Sequence, residues 1–265
     1  LLNMTILHVF LLSLIQGVTE FLPVSSSAHL VLYNKFVIGL QKNLSLDIAM
    51  HIGSLLAVTL VIAKPLKENT LTILEKNDVK KSMFLIVLAT LPLVFMALLL
   101  EYTRIIDLTG QLEIIAFTNI IFALLLFASD RKVNRRKLSD ISTKDAIIIG
   151  IWQSFAIFPG TSRSGASITG ARFLSFNRKD AIIISVVLSI PSIALSSAYI
   201  ALKFFNNPSE IDIGFVSYGV LFSFIISFVV LKFFIKLGEN FSFTPFVIYR
   251  TFLGLTILGV LYIYP

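Results

Sequence analysis

Two short stretches hold most of the side chains that can do chemistry in an otherwise apolar chain. The first is QGVTEFLPVSSSAHL, Gln16 to Leu30; the second is PGTSRSGAS, Pro159 to Ser167. Gln16 and Glu20 stand four apart, so on a helix they share one face. Pro23 disfavours helix at Leu22 and ends that helix nearby. Ser25, Ser26 and Ser27 follow, and serine is a favoured N-cap. A second half-helix is therefore expected to start there and to run through His29 toward Tyr33. In the second stretch Pro159 and Gly160 break the chain, and Thr161, Ser162 and Ser164 can cap a new helix. A helix start presents unpaired N–H groups and a positive dipole end, which suits an anion. Arg163 sits at this break inside an apolar hairpin, where a charge is costly and needs a partner. Glu20 is one partner. A phosphate is another, because a guanidinium fork matches its oxygens in pairs.

These residue types point to an oxyanion or phosphate site where two broken helices meet. Any of the three serines can act as a nucleophile if a base lies beside it, and His29, one turn beyond Ser26, is close enough in sequence to serve. His29 can equally bind phosphate. Glu20 can ligate a divalent cation, activate water or act as the counter-ion of Arg163. Gln16, Ser25, Ser27, Gly160, Thr161, Ser162 and Ser164 are read as substrate-binding. His51 reads as a packing or a catalytic histidine, Gln153 as a source of supporting hydrogen bonds, and Trp152, Tyr249 and Arg250 as interfacial anchors or the rim of the site.

The elements that must position these residues follow from composition. Of 265 residues, 56% are hydrophobic and 14% charged, with 24 Phe; the mean hydropathy is +0.90. A soluble domain carries roughly 25% charged residues, so the chain reads as a polytopic membrane protein. With no cysteine, disulfides, thiol catalysis and Cys-based metal sites are excluded. The net charge of +7 comes from basic residues in short gaps between apolar segments. That is the positive-inside pattern, and nucleic acid is not implied. The N-terminal apolar run lacks a basic leader, so no cleavable signal is expected.

Segments 46–63, 83–100, 113–129, 180–202, 214–235 and 245–264 are long enough to span a bilayer, which takes about 20 apolar residues. Residues 4–33 and 146–174 are apolar at both ends and polar in the middle. They read as two re-entrant helical hairpins, because backbone breaks at membrane depth need cover from protein or a water-filled cavity. The basic stretches 130–145 and 64–81 are assigned to the cytoplasm, the acidic 101–113 to the outside. Threading the chain through these constraints puts 34–45 and both termini outside. The first hairpin then enters from outside, the second from the cytoplasm.

An internal repeat follows. Pro23-Val-Ser-Ser matches Pro159-Gly-Thr-Ser at an offset of 136, and Asp47 matches Asp180 at 133. The expected fold is all-α, with six transmembrane helices plus two re-entrant hairpins in an inverted-topology repeat: 1–129, then the basic linker 130–145, then 146–265.

Both stretches resemble the two signature motifs of the bacterial undecaprenyl-diphosphatase family of bacitracin-resistance type, and DIAMHIGSLLAV, Asp47 to Val58, resembles a third shared stretch. The resemblance runs through the whole chain. It implies a multi-pass enzyme of the bacterial cytoplasmic membrane. Such an enzyme removes one phosphate from undecaprenyl diphosphate, regenerating a lipid carrier for cell-wall synthesis. The family's functional residues fall on Glu20, Ser26, His29 and Arg163, which singles out Ser26 as nucleophile, with Gln16 in a position taken by glutamate or glutamine. Gln16 is the neutral variant and removes one metal ligand; Ala28 and Ser167 stand where glycine and threonine are frequent. A divalent cation, Mg²⁺ or Ca²⁺, is expected with Glu20 as its one protein ligand, a homodimer is left open, and the site is expected to open to the periplasmic face. The competing reading is a lipid-phosphate flippase or anion transporter using the same midplane site.

Overall fold

The computed structural model of the chain describes residues 4–38, 43–63, 79–104, 111–133, 135–206, 212–238 and 241–263. Most of the stretch 64–81, residues 39–42 and Asp107 lie outside these, so the loop assignments that rest on them are expectations from sequence only.

The described residues are almost entirely helical. The first hairpin is α1 (Ile6–Thr19) and α2 (Ser26–Tyr33), the latter running on into a π turn at Asn34–Ile38. Three long helices follow: α3 (Leu44–Ala63), α4 (Val79–Tyr102) and α5 (Leu112–Asp130). The second hairpin is α6 (Thr143–Ser154), a 3₁₀ turn at Phe155–Ile157, and α7 (Arg163–Phe173). Then come α8 (Arg178–Asn206), α9 (Ile213–Leu237) and α10 (Thr244–Ile263). Six of these, α3, α4, α5, α8, α9 and α10, are long and apolar enough to cross a membrane, and each covers one expected span to within a few residues. The protein is an all-α polytopic membrane protein.

Local chemistry sets the helix starts. Thr5 and His8 form a capping box on α1, Ser142 and Asp145 one on α6, and Asp212 accepts from the Phe215 N–H at the start of α9. Pro92 and Pro191 lie inside α4 and α8, where each removes one backbone donor.

Packing follows from small residues. Ser54 and Ser227 share a hydrogen bond at 3.0 Å, and Ser223 Oγ donates to the Met50 carbonyl at 2.8 Å, so α3 and α9 approach closely. A Cβ on Gly53 would stand 2.1 Å from Ser223 Oγ. The first arm of each hairpin meets a long helix in the same way. A Cβ on Gly17 of α1 would lie 2.8 Å from Ile226 of α9, and one on Gly150 of α6 would lie 2.4 Å from the Ala89 carbonyl of α4. The main core gathers α3, α8 and the inner faces of α4, α5 and α9 around the hairpins. Large apolar side chains such as Phe95, Val229 and Phe252 are exposed on the outer faces of α4, α9 and α10, as expected of helices that meet lipid.

Candidate active site

The breaks form where Pro23 and the Pro159-Gly160 pair interrupt the chain, and the two tips touch. Each second arm starts from a serine in the left-handed region: Ser25 at φ 72°, ψ 95° before α2, and Ser162 at φ 68°, ψ 114° before α7. Non-glycine residues held there cost about 1–3 kcal/mol each and persist only where surroundings over-determine them. Aligning these two serines shifts the tip register by one residue from the sequence match, so Ser26 and Arg163 are the equivalent first residues of their helices. Only Ser162 caps with its side chain, accepting from the Gly165 N–H at 3.1 Å. Ser25 makes no side-chain cap. Its Oγ instead accepts the Gly160 N–H of the other tip at 3.2 Å and meets Ser27 Oγ at 3.2 Å.

Glu20 is the centre. It follows α1 directly and is buried. Its Oε2 accepts from Gln16 Nε2 at 3.0 Å, the i, i+4 pair read from sequence, and from Ser26 Oγ at 2.8 Å. Its Oε1 takes Arg163 NH2 at 3.1 Å across the two tips. Arg163 also donates to the Glu20 carbonyl at 3.4 Å and, through NH1, to the Ser185 carbonyl at 3.1 Å. One carboxylate thus orients the hydroxyl of Ser26 and holds the guanidinium.

His29 is arranged differently from the expectation that it serves Ser26. Its Nδ1 lies 2.6 Å from the Ser25 carbonyl, which can only accept, so Nδ1 carries the proton. Nε2 of the neutral ring then accepts from the Tyr249 hydroxyl at 2.5 Å, and the two rings stack with centroids 5.6 Å apart. With both nitrogens engaged, neither is bonded to Ser26, whose hydroxyl donates to Glu20 Oε2. His29 and the exposed Tyr249 form a rim beside the exposed Ser27.

Most of the remaining tip residues bond within and between the hairpins. Ser164 Oγ meets Ser162 Oγ at 3.1 Å and donates to the Leu22 carbonyl at 2.8 Å. Thr161 is fully buried and its hydroxyl has no hydrogen-bond partner among the described residues. Gln153 accepts from Ser167 Oγ at 3.3 Å, the supporting role read from sequence. His51 Nδ1 pairs with the Asp47 carbonyl at 2.8 Å, one turn back on its own helix.

Arg250, open in the sequence between an interfacial anchor and the rim of the site, is fully buried between the tips. It donates to the carbonyls of Gly160 and Thr161 at 2.8 Å each and of Pro23 at 3.4 Å, and to Asn119 Oδ1 at 2.9 Å. It therefore staples both breaks to α5 and α10. Thr118 adds a bond to the Pro159 carbonyl at 2.6 Å. The signal that marks Arg250 in the sequence is an arginine inside an apolar span. Asn119 carries no comparable signal; Tyr249 lies at the rim, one of the two places open to it in the sequence.

A resident metal does not fit these residues. Among the described residues no group of three or more His, Asp or Glu is close enough to hold one. Glu20 is the tips' one acid, and both its oxygens are engaged.

The family model described as Bacitracin resistance protein BacA matches residues 9–256. A protein of Aliivibrio salmonicida named undecaprenyl-diphosphatase is 38% identical over 97% of this chain and 98% of its own length. Proteins of the same name from a Jannaschia species and from Ruegeria pomeroyi are 35% and 36% identical, each over 98% of this chain and 100% of their own length.

Proposed function

The chain belongs to the bacitracin resistance protein BacA family, and from that membership and the geometry of the tips we propose that it is a membrane undecaprenyl-diphosphatase. It hydrolyses undecaprenyl diphosphate to undecaprenyl phosphate and inorganic phosphate, and so recycles the lipid carrier of cell-wall synthesis. The observation that carries the reaction is the 2.8 Å bond from Ser26 Oγ to Glu20 Oε2, with the opposite oxygen of the same carboxylate on Arg163.

In this reading Arg163 binds the terminal phosphoryl oxygens, and the N-terminus of α7 faces the same charge. Ser26 Oγ attacks the terminal phosphorus while its proton passes to Glu20. The bond from that phosphorus to the bridging oxygen breaks, the Glu20 carboxyl passes the serine's proton to that oxygen, and undecaprenyl phosphate leaves. Water then attacks the phosphoserine, giving its proton to the carboxylate, which returns it to Ser26 Oγ as the serine–phosphorus bond breaks and inorganic phosphate departs. Electrostatic stabilisation of the transferring group by Arg163 supplies the largest share of the rate, as is usual for phosphoryl transfer. His29 and Tyr249 sit where they can exchange a proton with phosphate oxygens at the rim. Gln16 orients Glu20, and Ser25, Ser27, Gly160, Thr161, Ser162 and Ser164 shape the cradle. Mg²⁺ or Ca²⁺ belongs to the proposal only as a companion of the incoming diphosphate, held by phosphate oxygens and water with Glu20 at most.

The protein sits in the bacterial cytoplasmic membrane, with the site open to the periplasmic face and both termini outside. The two halves, 1–129 and 146–265, form an inverted repeat joined by the cytoplasmic linker 130–145. Support comes from the mirrored left-handed serines and from the reciprocal packing of α1 on α9 and α6 on α4.

The test is phosphate release from undecaprenyl diphosphate by purified protein in detergent, with divalent cation and with chelator. Wild type should release phosphate, while Ser26→Ala and Arg163→Ala, still folded, should not. A folded wild type that releases none would leave the tips as an anion site without hydrolysis.

A further inference from the structure

A basic pocket lies away from the tips, at the opposite end of the second arm of the second hairpin. Its position is fixed by the end of α5, the end of α7 and the starts of α8 and α10. Arg172 lies nine residues along α7 from Arg163, roughly 14 Å of helix. The pocket is open and has a volume of about 610 Å³. Its lining carries Arg131, Lys132, Arg172 and Arg178 against the single carboxylate of Asp130.

The pocket is held in shape from beneath. Asp130 is buried and takes Arg178 Nε at 2.7 Å and NH2 at 3.0 Å, and its Oδ2 also accepts the Phe243 N–H at 3.1 Å. Arg172 is almost fully buried and donates to the carbonyls of Asp130 at 3.0 Å, Lys132 at 2.6 Å and Phe176. Its Nε also lies 3.6 Å from Asp130 Oδ1, so the one carboxylate is counter-ion to both Arg172 and Arg178, and Arg131 and Lys132 are the cations that face outward. Arg131 and Lys132 are exposed, and the Arg131 guanidinium lies 4.2 Å above the Phe127 ring. The first turn of α10, with Thr244, closes the pocket, adding a hydroxyl and a positive dipole end. Four cations around one acid, on rigid helix ends, at the level where apolar spans end, form a receptor for a compact anion.

We propose that this pocket binds a phosphate-bearing anion, either the headgroup of an anionic membrane lipid or free inorganic phosphate. The exposed Val133 beside it gives a lipid's chains an apolar surface to follow. The inference does not depend on the hydrolytic reading, because none of these side chains touches the tips.

The experiment uses full-length protein in detergent and follows thermal unfolding. The titrants are short-chain phosphatidylglycerol, short-chain phosphatidylcholine and inorganic phosphate. Wild type should show a saturable rise in Tm of a few degrees with phosphatidylglycerol, with phosphate, or with both, and none with phosphatidylcholine. A response to phosphatidylglycerol alone assigns a lipid headgroup; a response to phosphate that phosphatidylglycerol does not exceed assigns the free anion. The rise should persist in Arg163→Gln, which disables the tips, and disappear in Arg131→Gln/Lys132→Gln, which leaves the Asp130 pairs in place. A rise that survives in that double variant, one lost in Arg163→Gln, or no rise with either anion, overturns the proposal.

Discussion

Arg163 and Glu20 stand 143 positions apart in the chain and 3.1 Å apart in space, each at the broken end of its own hairpin. The bond does two things. It gives a buried guanidinium the partner it needs, and it fixes the carboxylate whose other oxygen receives the Ser26 hydroxyl. Removing one member of a buried pair strands the other charge and costs about 3–5 kcal/mol. Glu20→Gln and Arg163→Gln should each lower Tm and cut phosphate release by at least about 10²-fold, the scale of one lost electrostatic donor. The double variant should recover most of the lost stability and none of the activity. Thermal unfolding beside a phosphate assay reads both, and a double variant as unstable as the two singles summed would deny the coupling.

Ser26 should carry the transferred phosphate. Denaturing quench of wild-type protein with substrate labelled on the terminal phosphate should leave label on this serine. The label should be absent in Ser26→Ala and present in Ser27→Ala, whose exposed hydroxyl contacts Ser25 and not Glu20. Label-free wild-type protein that still releases phosphate in a rapid burst would point to direct attack by water.

The spans and both breaks were legible in the sequence, because membrane length and the Pro-Ser and Pro-Gly-Thr-Ser interruptions are local signals. The Gln16–Glu20 face and the Glu20–Arg163 pairing were legible too, the first from helical spacing and the second from the cost of a charge in an apolar hairpin. What escaped was non-local. Arg250 lies near the first turns of α10, where a cation reads as an interfacial anchor or a residue of the site's rim, yet its partners are carbonyls of both tips. Tyr249 meets His29 220 positions away, and nothing near either residue announces it. The sequence leaves His29 open between base and phosphate ligand, and one-turn spacing does not reveal that its Nδ1 meets the Ser25 carbonyl and its Nε2 the Tyr249 hydroxyl.

Tyr249→Phe removes the hydroxyl from His29 Nε2 and keeps the stacked ring. Tm should change little, whereas kcat should fall about tenfold, within the range of lost proton-transfer assistance. His29→Gln should fall further. If Tyr249→Phe raised KM with kcat unchanged, the pair would be assigned to substrate binding and not to proton transfer.

The linker has its own pH signature, outside the membrane. Asp145 accepts from Arg136 NH1 at 2.8 Å, from NH2 at 2.6 Å and from the Ser142 backbone and hydroxyl. Burial disfavours its charge, but the bonds from Arg136 and Ser142 outweigh that and hold the carboxyl below its usual value of 3.8. A depressed folded value means that the stabilisation is complete above the unfolded value, near pH 4, and is lost as pH falls through the folded one. Asp145→Asn should therefore lower Tm at neutral pH, and the gap from wild type should close as the solution is acidified below about pH 4. A gap constant with pH would show that the bonds matter and the charge does not.

Gly160 tests the second break most directly. Its φ of +94° suits glycine, and a Cβ there would lie 2.3 Å from Thr118 Oγ1 and 2.4 Å from the Ile115 carbonyl. The backbone of α5 cannot retreat without moving Asn119, which holds Arg250 at 2.9 Å. Gly160→Ala should thus shift the tip, loosen the Arg250 staple and cost about 2 kcal/mol or more in stability, with phosphate release falling out of proportion to the folded fraction. Gly259→Ala, with open space around its Cβ on α10, is the matched control and should be neutral. Equal behaviour of the two variants would show that the tip tolerates displacement and that the site does not depend on its shape.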